Sequence, residues 1–173
     1  VFGASSGAAL GLRAAAAGLP LRKLAMYEPP FVQEGASARE PDHIAALRQL
    51  LARGQRGAAV KYFMQGMVHA PAAVVLMMRC LFPVWAKLKA VAHTLPYDAA
   101  IMGDWRVPVA RASEVKVPSL VLHGGKTDAR LRRGAHALAA AVPGAEHGEL
   151  AGQDHNAQAK VLAPVLRAFF ERP

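Results

Sequence analysis

The residues whose spacing suggests chemistry begin almost at the first position. Gly3-Ala4-Ser5-Ser6-Gly7 fits the Gly-x-Ser-x-Gly elbow, in which a serine stands on a sharp turn between a strand and a helix. The turn strains the serine backbone, and side chains at the two glycine positions are expected to clash with the converging chain. A serine hydroxyl attacks poorly at neutral pH unless a base removes its proton, and the base needs a carboxylate to hold its tautomer. With an elbow of this kind the partners follow in the order serine, acid, histidine. The chain supplies that order as Ser5, Asp128 and His155.

The histidine is chosen from seven. His155 alone occupies a polar loop, Gly152-Gln153-Asp154-His155-Asn156, expected between a last strand and a last helix. His123, His136 and His147 fall in or beside regular elements, where satisfied structural roles suit them. His43, His69 and His93 fall in a helical stretch as surface or pocket-wall residues. The acid has two candidates. Asp128 ends Gly125-Lys126-Thr127-Asp128 after an apolar run, although an aspartate there also serves as the N-cap of the following helix. Glu28 follows the strand ending at Tyr27 and reaches the same histidine from a neighbouring strand. Asp154 adjoins His155 too closely in sequence to face it, and Asp104 is an outside candidate. The backbone amide of Ser6 is the expected first donor to an oxyanion, with a second from a loop after an earlier strand.

No cofactor or metal site is expected. The sequence has no His-Glu-x-x-His, a single cysteine (Cys80), and a Gly124-Gly125-Lys126-Thr127 run without the upstream glycine of a phosphate-binding loop.

The elements around these residues read as α/β. Val1-Phe2 ends a strand, and Ala8 to Ala17 is a small-residue helix stopped by Gly18. Leu21 to Tyr27 is a second buried strand. Helical patterns then run from Asp42 to Arg53, Gly57 to Val68 and Pro71 to Leu81, with shorter pieces to Met102. The apolar run Val74 to Met78, with Phe82 and Trp85, reads as core in preference to the lining of an acyl pocket. Val117 to His123 is an apolar strand, Arg130 to Val142 an amphipathic helix, and Ala145 to Leu150 a last strand. The closing helix contains Pro164, expected in its first turn or at a kink. Three segments follow: an elbow and core over 1–30, a helical cap insertion over 31–114, and a C-terminal core over 115–173 carrying the acid and histidine loops.

Composition narrows the function classes. The 173 residues, 53% of them hydrophobic, suffice for one substantial core. The net charge of +9 comes from scattered Arg and Lys without interleaved aromatics, which argues against a nucleic-acid partner. No run is long and apolar enough to span a bilayer. One cysteine and no signal-peptide pattern point to a soluble, cytoplasmic protein, and the serine, acid and histidine candidates point to a small-molecule substrate. Because the elbow appears at once, without an initiator methionine, a preceding segment carrying earlier strands is expected.

Together the residues resemble the α/β-hydrolase superfamily, as the C-terminal portion of a small, helical-capped bacterial member. The resemblance rests on Gly3 to Ala8, Tyr27-Glu28-Pro29-Pro30-Phe31, Leu95-Pro96-Tyr97-Asp98-Ala99-Ala100, Val117 to Gly125 and Gly152-Gln153-Asp154-His155. It implies a mostly parallel sheet with flanking helices, Ser5 as nucleophile and His155 as base. In that group the loop after the penultimate strand often lacks an acid, which counts against Asp128 and raises Glu28, the alternative to it. The implied activity is a serine hydrolase transferring an acyl group from a small ester, thioester or amide to water. The alternative is an inactive fragment or a binding pseudoenzyme of the same fold. The resemblance does not choose among the esterases, lactonases, peptidases, dehalogenases and peroxidases that share this fold.

Overall fold

The computed structural model describes residues 1–32 and 42–172. The part of the expected insertion over 33–41 lies outside these described residues. The chain divides into two compact units, Val1–Ala36 with Met102–Pro173, and Ser37–Ile101.

The first unit is built on a four-stranded sheet in the order β1-β2-β3-β4, with β1 Phe2–Ala4, β2 Leu24–Tyr27, β3 Ser119–Gly124 and β4 Glu146–Leu150. All three pairings are parallel. The two central strands are buried along their whole length, as their unbroken apolar runs require. Helix α1 (Ser6–Ala16) follows β1 at once, and its small residues Ala8, Ala9, Gly11 and Ala15 let it lie close to the sheet. A methyl group at Gly11 would sit 2.9 Å from a Leu24 methyl.

Strand alternation separates two faces. Ala25, Tyr27, Leu120, Leu122 and Leu150 form one apolar layer, covered by Phe169 with Val161, Leu162, Val165, Leu166 and Phe170. These covering residues belong to the last helix. Leu24, Met26, Val121 and His123 point the other way, toward α1 and the helix after β3.

Between β2 and β3 the second unit is helical among its described residues. It comprises α2 (His43–Ala52), α3 (Arg56–Tyr62) continuing through a π-turn (Phe63–Met67), α4 (Ala72–Cys80), α5 (Phe82–Val91) and most of α6 (Leu95–Met102). Asp42 caps α2 through the Ala45 amide at 2.9 Å, as its position predicts. The apolar run of α4 is not core. Only Val75 is buried there, while Leu76, Met77 and Phe82 are more than half exposed. A hydrophobic stretch this continuous wraps the whole helix, and α4 packs against its neighbour along one narrow stripe.

Back in the first unit, a short α7 (Val109–Ala112) precedes β3, α8 (Ala129–Ala141) joins β3 to β4, and α9 (Ala159–Glu171) closes the chain. Val32 and Arg106 form an isolated parallel bridge that the helical pattern did not suggest. Pro164 lies inside α9, beyond its first turn. Among the described residues no helix is long and apolar enough to cross a membrane.

Candidate active site

The turn at Ser5 has the strain expected of an elbow. Ser5 adopts φ 53° and ψ −129°, a conformation that L-residues rarely occupy, directly between β1 and α1. Its amide donates to the Tyr27 carbonyl at 2.9 Å, pinning the turn to the end of β2. Its hydroxyl makes no capping bond to α1 and is left available. Gly3 is required because a methyl group there would lie 2.3 Å from the Gly7 carbonyl oxygen. The expectation of a second clash at Gly7 is corrected: a methyl group on Gly7 meets open space. It is the backbone of residue 7, not its missing side chain, that crowds the strand. Ser6 is the first residue of α1, so its amide has no acceptor within the helix.

Glu28 occupies the corresponding place after β2. It also has a positive φ, 46°, and is 1% exposed. Its amide donates to Leu122 O at 2.9 Å, continuing the β2–β3 ladder past the strand end. Its carboxylate is fully satisfied. Oε1 accepts from the Gly124 amide at 2.8 Å and from the Thr127 hydroxyl, and Oε2 lies 2.8 Å from His155 Nδ1. A carboxylate with these donors only accepts, so Nδ1 carries the proton and Nε2 of the neutral ring carries the lone pair. Burial pushes the Glu28 carboxyl upward, but the bonds from His155, Thr127 and Gly124 outweigh it and hold it below the usual glutamate value. The hydrogen bond to Glu28 raises His155 above an ordinary histidine, against the opposing effect of its own partial burial.

The loop carrying His155 is fastened from three directions. The Tyr27 hydroxyl donates to the Asp154 carbonyl, the Lys126 amide donates to Gln153 O at 2.8 Å, and the buried Gln153 side chain accepts from the Gln158 amide at 2.9 Å. That last bond caps the start of α9. The Asp154 side chain accepts from the Asn156 amide at 2.8 Å. Gly124 makes the approach possible, since a methyl group there would lie 2.4 Å from Gln153 O and 2.9 Å from the Tyr27 hydroxyl.

Asp128, the first of the two sequence candidates for the acid, does not meet the histidine. Its carboxylate accepts from the Arg130 amide at 2.8 Å and from the Arg130 guanidinium at 3.2 Å, as the N-cap of α8. The Arg130 amide, first among these contacts, holds the Asp128 carboxyl below its usual value. A residue one step before a helix satisfies its nearest amides more cheaply than a loop on another strand. Asp104 likewise serves a local turn, accepting from the Arg106 amide at 3.1 Å.

Sequence reasoning missed Thr127, Gly124 and Tyr27. The first two lie in the run set aside as an incomplete phosphate loop, and nothing local marks them as supports for Glu28. It also missed that His123, His136 and His147, expected in separate structural roles, come together. Each offers a ligand nitrogen within 4.8 Å of the others.

A serine elbow, a buried acid and an imidazole at the carboxyl ends of neighbouring parallel strands define the α/β-hydrolase fold, and the chain belongs to that superfamily. It is 45% identical to an α/β hydrolase of Sphaerobacter thermophilus, with a TM-score of 0.88, covering 98% of this chain and 66% of that one. Two further structures share the fold alone. They are the enol-lactonase of Burkholderia xenovorans (17% identity, TM-score 0.64, 99% of this chain and 65% of that one) and a hydrolase of Pseudomonas aeruginosa (20%, 0.62, 99% and 64%). The chain thus spans slightly less than two thirds of the length of these relatives. No protein-family model and no curated protein matches it.

Proposed function

We propose that the protein is a serine hydrolase that transfers an acyl group from a small ester, thioester or amide to water. Ser5 is the nucleophile, His155 the general base and Glu28 the acid that orients it. The observation that carries this reading is the 2.8 Å bond from His155 Nδ1 to the buried Glu28 carboxylate, one strand away from the strained serine. The carboxylate keeps the imidazole lone pair on Nε2, where it takes the Ser5 proton as the hydroxyl oxygen adds to the acyl carbon. The same proton then passes to the leaving alcohol, thiol or amine, and water repeats the sequence to release the acid. The Ser6 amide, at the positive end of α1, donates to the oxyanion.

Fluorophosphonate labelling tests the nucleophile. The probe modifies Ser5, located by peptide mass spectrometry, and Ser5→Ala removes the label. Undiminished labelling of Ser5→Ala overturns the assignment.

A second reading, a catalytically silent binding protein of the same fold, is favoured by the openness of the base, whose side chain is 47% exposed. Saturable ester turnover by the 173-residue chain, lost in Ser5→Ala, would exclude it.

A further inference from the structure

His123 on β3, His136 on α8 and His147 on β4 come together. Their ring centroids are 5.4 Å apart for His123 and His136, 5.0 Å for His123 and His147, and 4.0 Å for His136 and His147. The topology explains the meeting. Val121 pairs with His147 and His123 with Glu149, so His123 and His147 sit diagonally on one face of adjacent strands. That face is opposite the apolar layer under α9, and α8 packs across it. Two of the three groups are therefore mounted on rigid strands, and His136 reaches them from the helix.

The chemistry of the trio points to a metal. His123 is 2% exposed, and its Nδ1 donates to the Gly124 carbonyl at 3.1 Å, which leaves the lone pair on Nε2. A carbonyl bonded to the far nitrogen is the arrangement that fixes the tautomer of a metal-binding imidazole. Glu149, two residues along the same face of β4, supplies a nearby negative charge. Neutral imidazole suits borderline divalent cations, zinc first among those without redox chemistry. Zinc–nitrogen bonds of 2.0–2.1 Å put tetrahedral ligand atoms about 3.3 Å apart. The three ligand nitrogens lie within 4.8 Å of one another, so binding draws them together by side-chain rotation, with His136 the exposed member of the three.

We propose that His123, His136 and His147 bind a single zinc-class divalent cation, with the remaining coordination position open to water. The cation ties β3, β4 and α8 together next to Gly124, the residue whose amide holds Glu28. Binding only to the folded protein, it stabilises the fold by mass action.

The test is titration of the chelator-stripped 173-residue protein with zinc chloride by calorimetry, alongside the spectrum of the cobalt form. One equivalent binds, the midpoint of thermal unfolding rises, and cobalt gives the absorption of a low-coordinate site. His136→Asn changes an exposed residue, so the variant folds, as far-ultraviolet circular dichroism checks. It weakens zinc binding by about a hundredfold or more, exceeding the loss typical of an outer-shell change. His93→Asn, in the helical unit, leaves binding intact. No zinc uptake by the stripped protein, or uptake unchanged in His136→Asn, overturns the proposal.

Discussion

Replacing Glu28 by glutamine isolates the charge of the acid while keeping its shape. Oε1 is held by two donors, the Gly124 amide and the Thr127 hydroxyl, so the glutamine oxygen must take that place. Its amide nitrogen then faces His155 Nδ1 across the 2.8 Å gap, and two N–H groups oppose each other. The imidazole relieves this by moving its proton to Nε2, the nitrogen whose lone pair must take the Ser5 proton. Loss of the correct tautomer in a serine triad lowers kcat by about 10⁴-fold, and that is the fall expected here. The stability cost is far smaller. One charge-assisted bond disappears, of a kind that contributes about 1.5–3 kcal/mol net. Because the His155 side chain is 47% exposed and water replaces part of that bond, the lower end applies, about 1–2 kcal/mol. Hydrolysis of a p-nitrophenyl ester measures the first effect and urea unfolding the second, while the ¹⁵N shifts of His155 report the tautomer without any turnover. A folded Glu28→Gln protein whose kcat stays within about threefold of the parent would refute the reasoning.

Asp128→Ala removes an N-cap and costs about 1 kcal/mol in urea unfolding, with kcat unchanged within about twofold. A fall as large as that of Glu28→Gln would return the acid to residue 128. By nuclear magnetic resonance His155 titrates above the ordinary histidine value, so its contribution to stability is present below about pH 6.5 and lost as pH rises through its raised folded value. Glu28, held low in the folded state, contributes above about pH 4.3 and loses that contribution as pH falls through its lower folded value. The acid limb of the rate profile follows His155, and a midpoint at or below the ordinary value contradicts the pairing. Gly124→Ala forces a methyl group to 2.4 Å from Gln153 O; the predicted loss is about 3 kcal/mol or more, with displacement of the His155 loop, and unfolding within error of the parent counts against the close approach. Tyr27→Phe leaves the Asp154 carbonyl without its donor and costs about 1 kcal/mol, with a larger effect on kcat than on KM.

What was legible in the sequence was local. The elbow needs only a strand, a glycine that admits the backbone of residue 7, and a helix of small residues, all within the first sixteen positions. The apolar runs of β2 and β3 and the amphipathic pattern of α8 likewise carry their own signal, because burial on one or two faces sets their period. The acid was different. Asp128 and Glu28 had comparable credentials as residues following strands, and the choice between them depends on where the loop after β4 crosses the sheet. The absent side chain at Gly124, the reach of the Tyr27 hydroxyl and the bonds of Gln153 settle that crossing, and none leaves a mark near Glu28 in the sequence. The histidine trio is the clearest case. Residues 123, 136 and 147 meet because strand register and helix phase put three side chains on one face, a relation between distant segments that no spacing along the chain encodes.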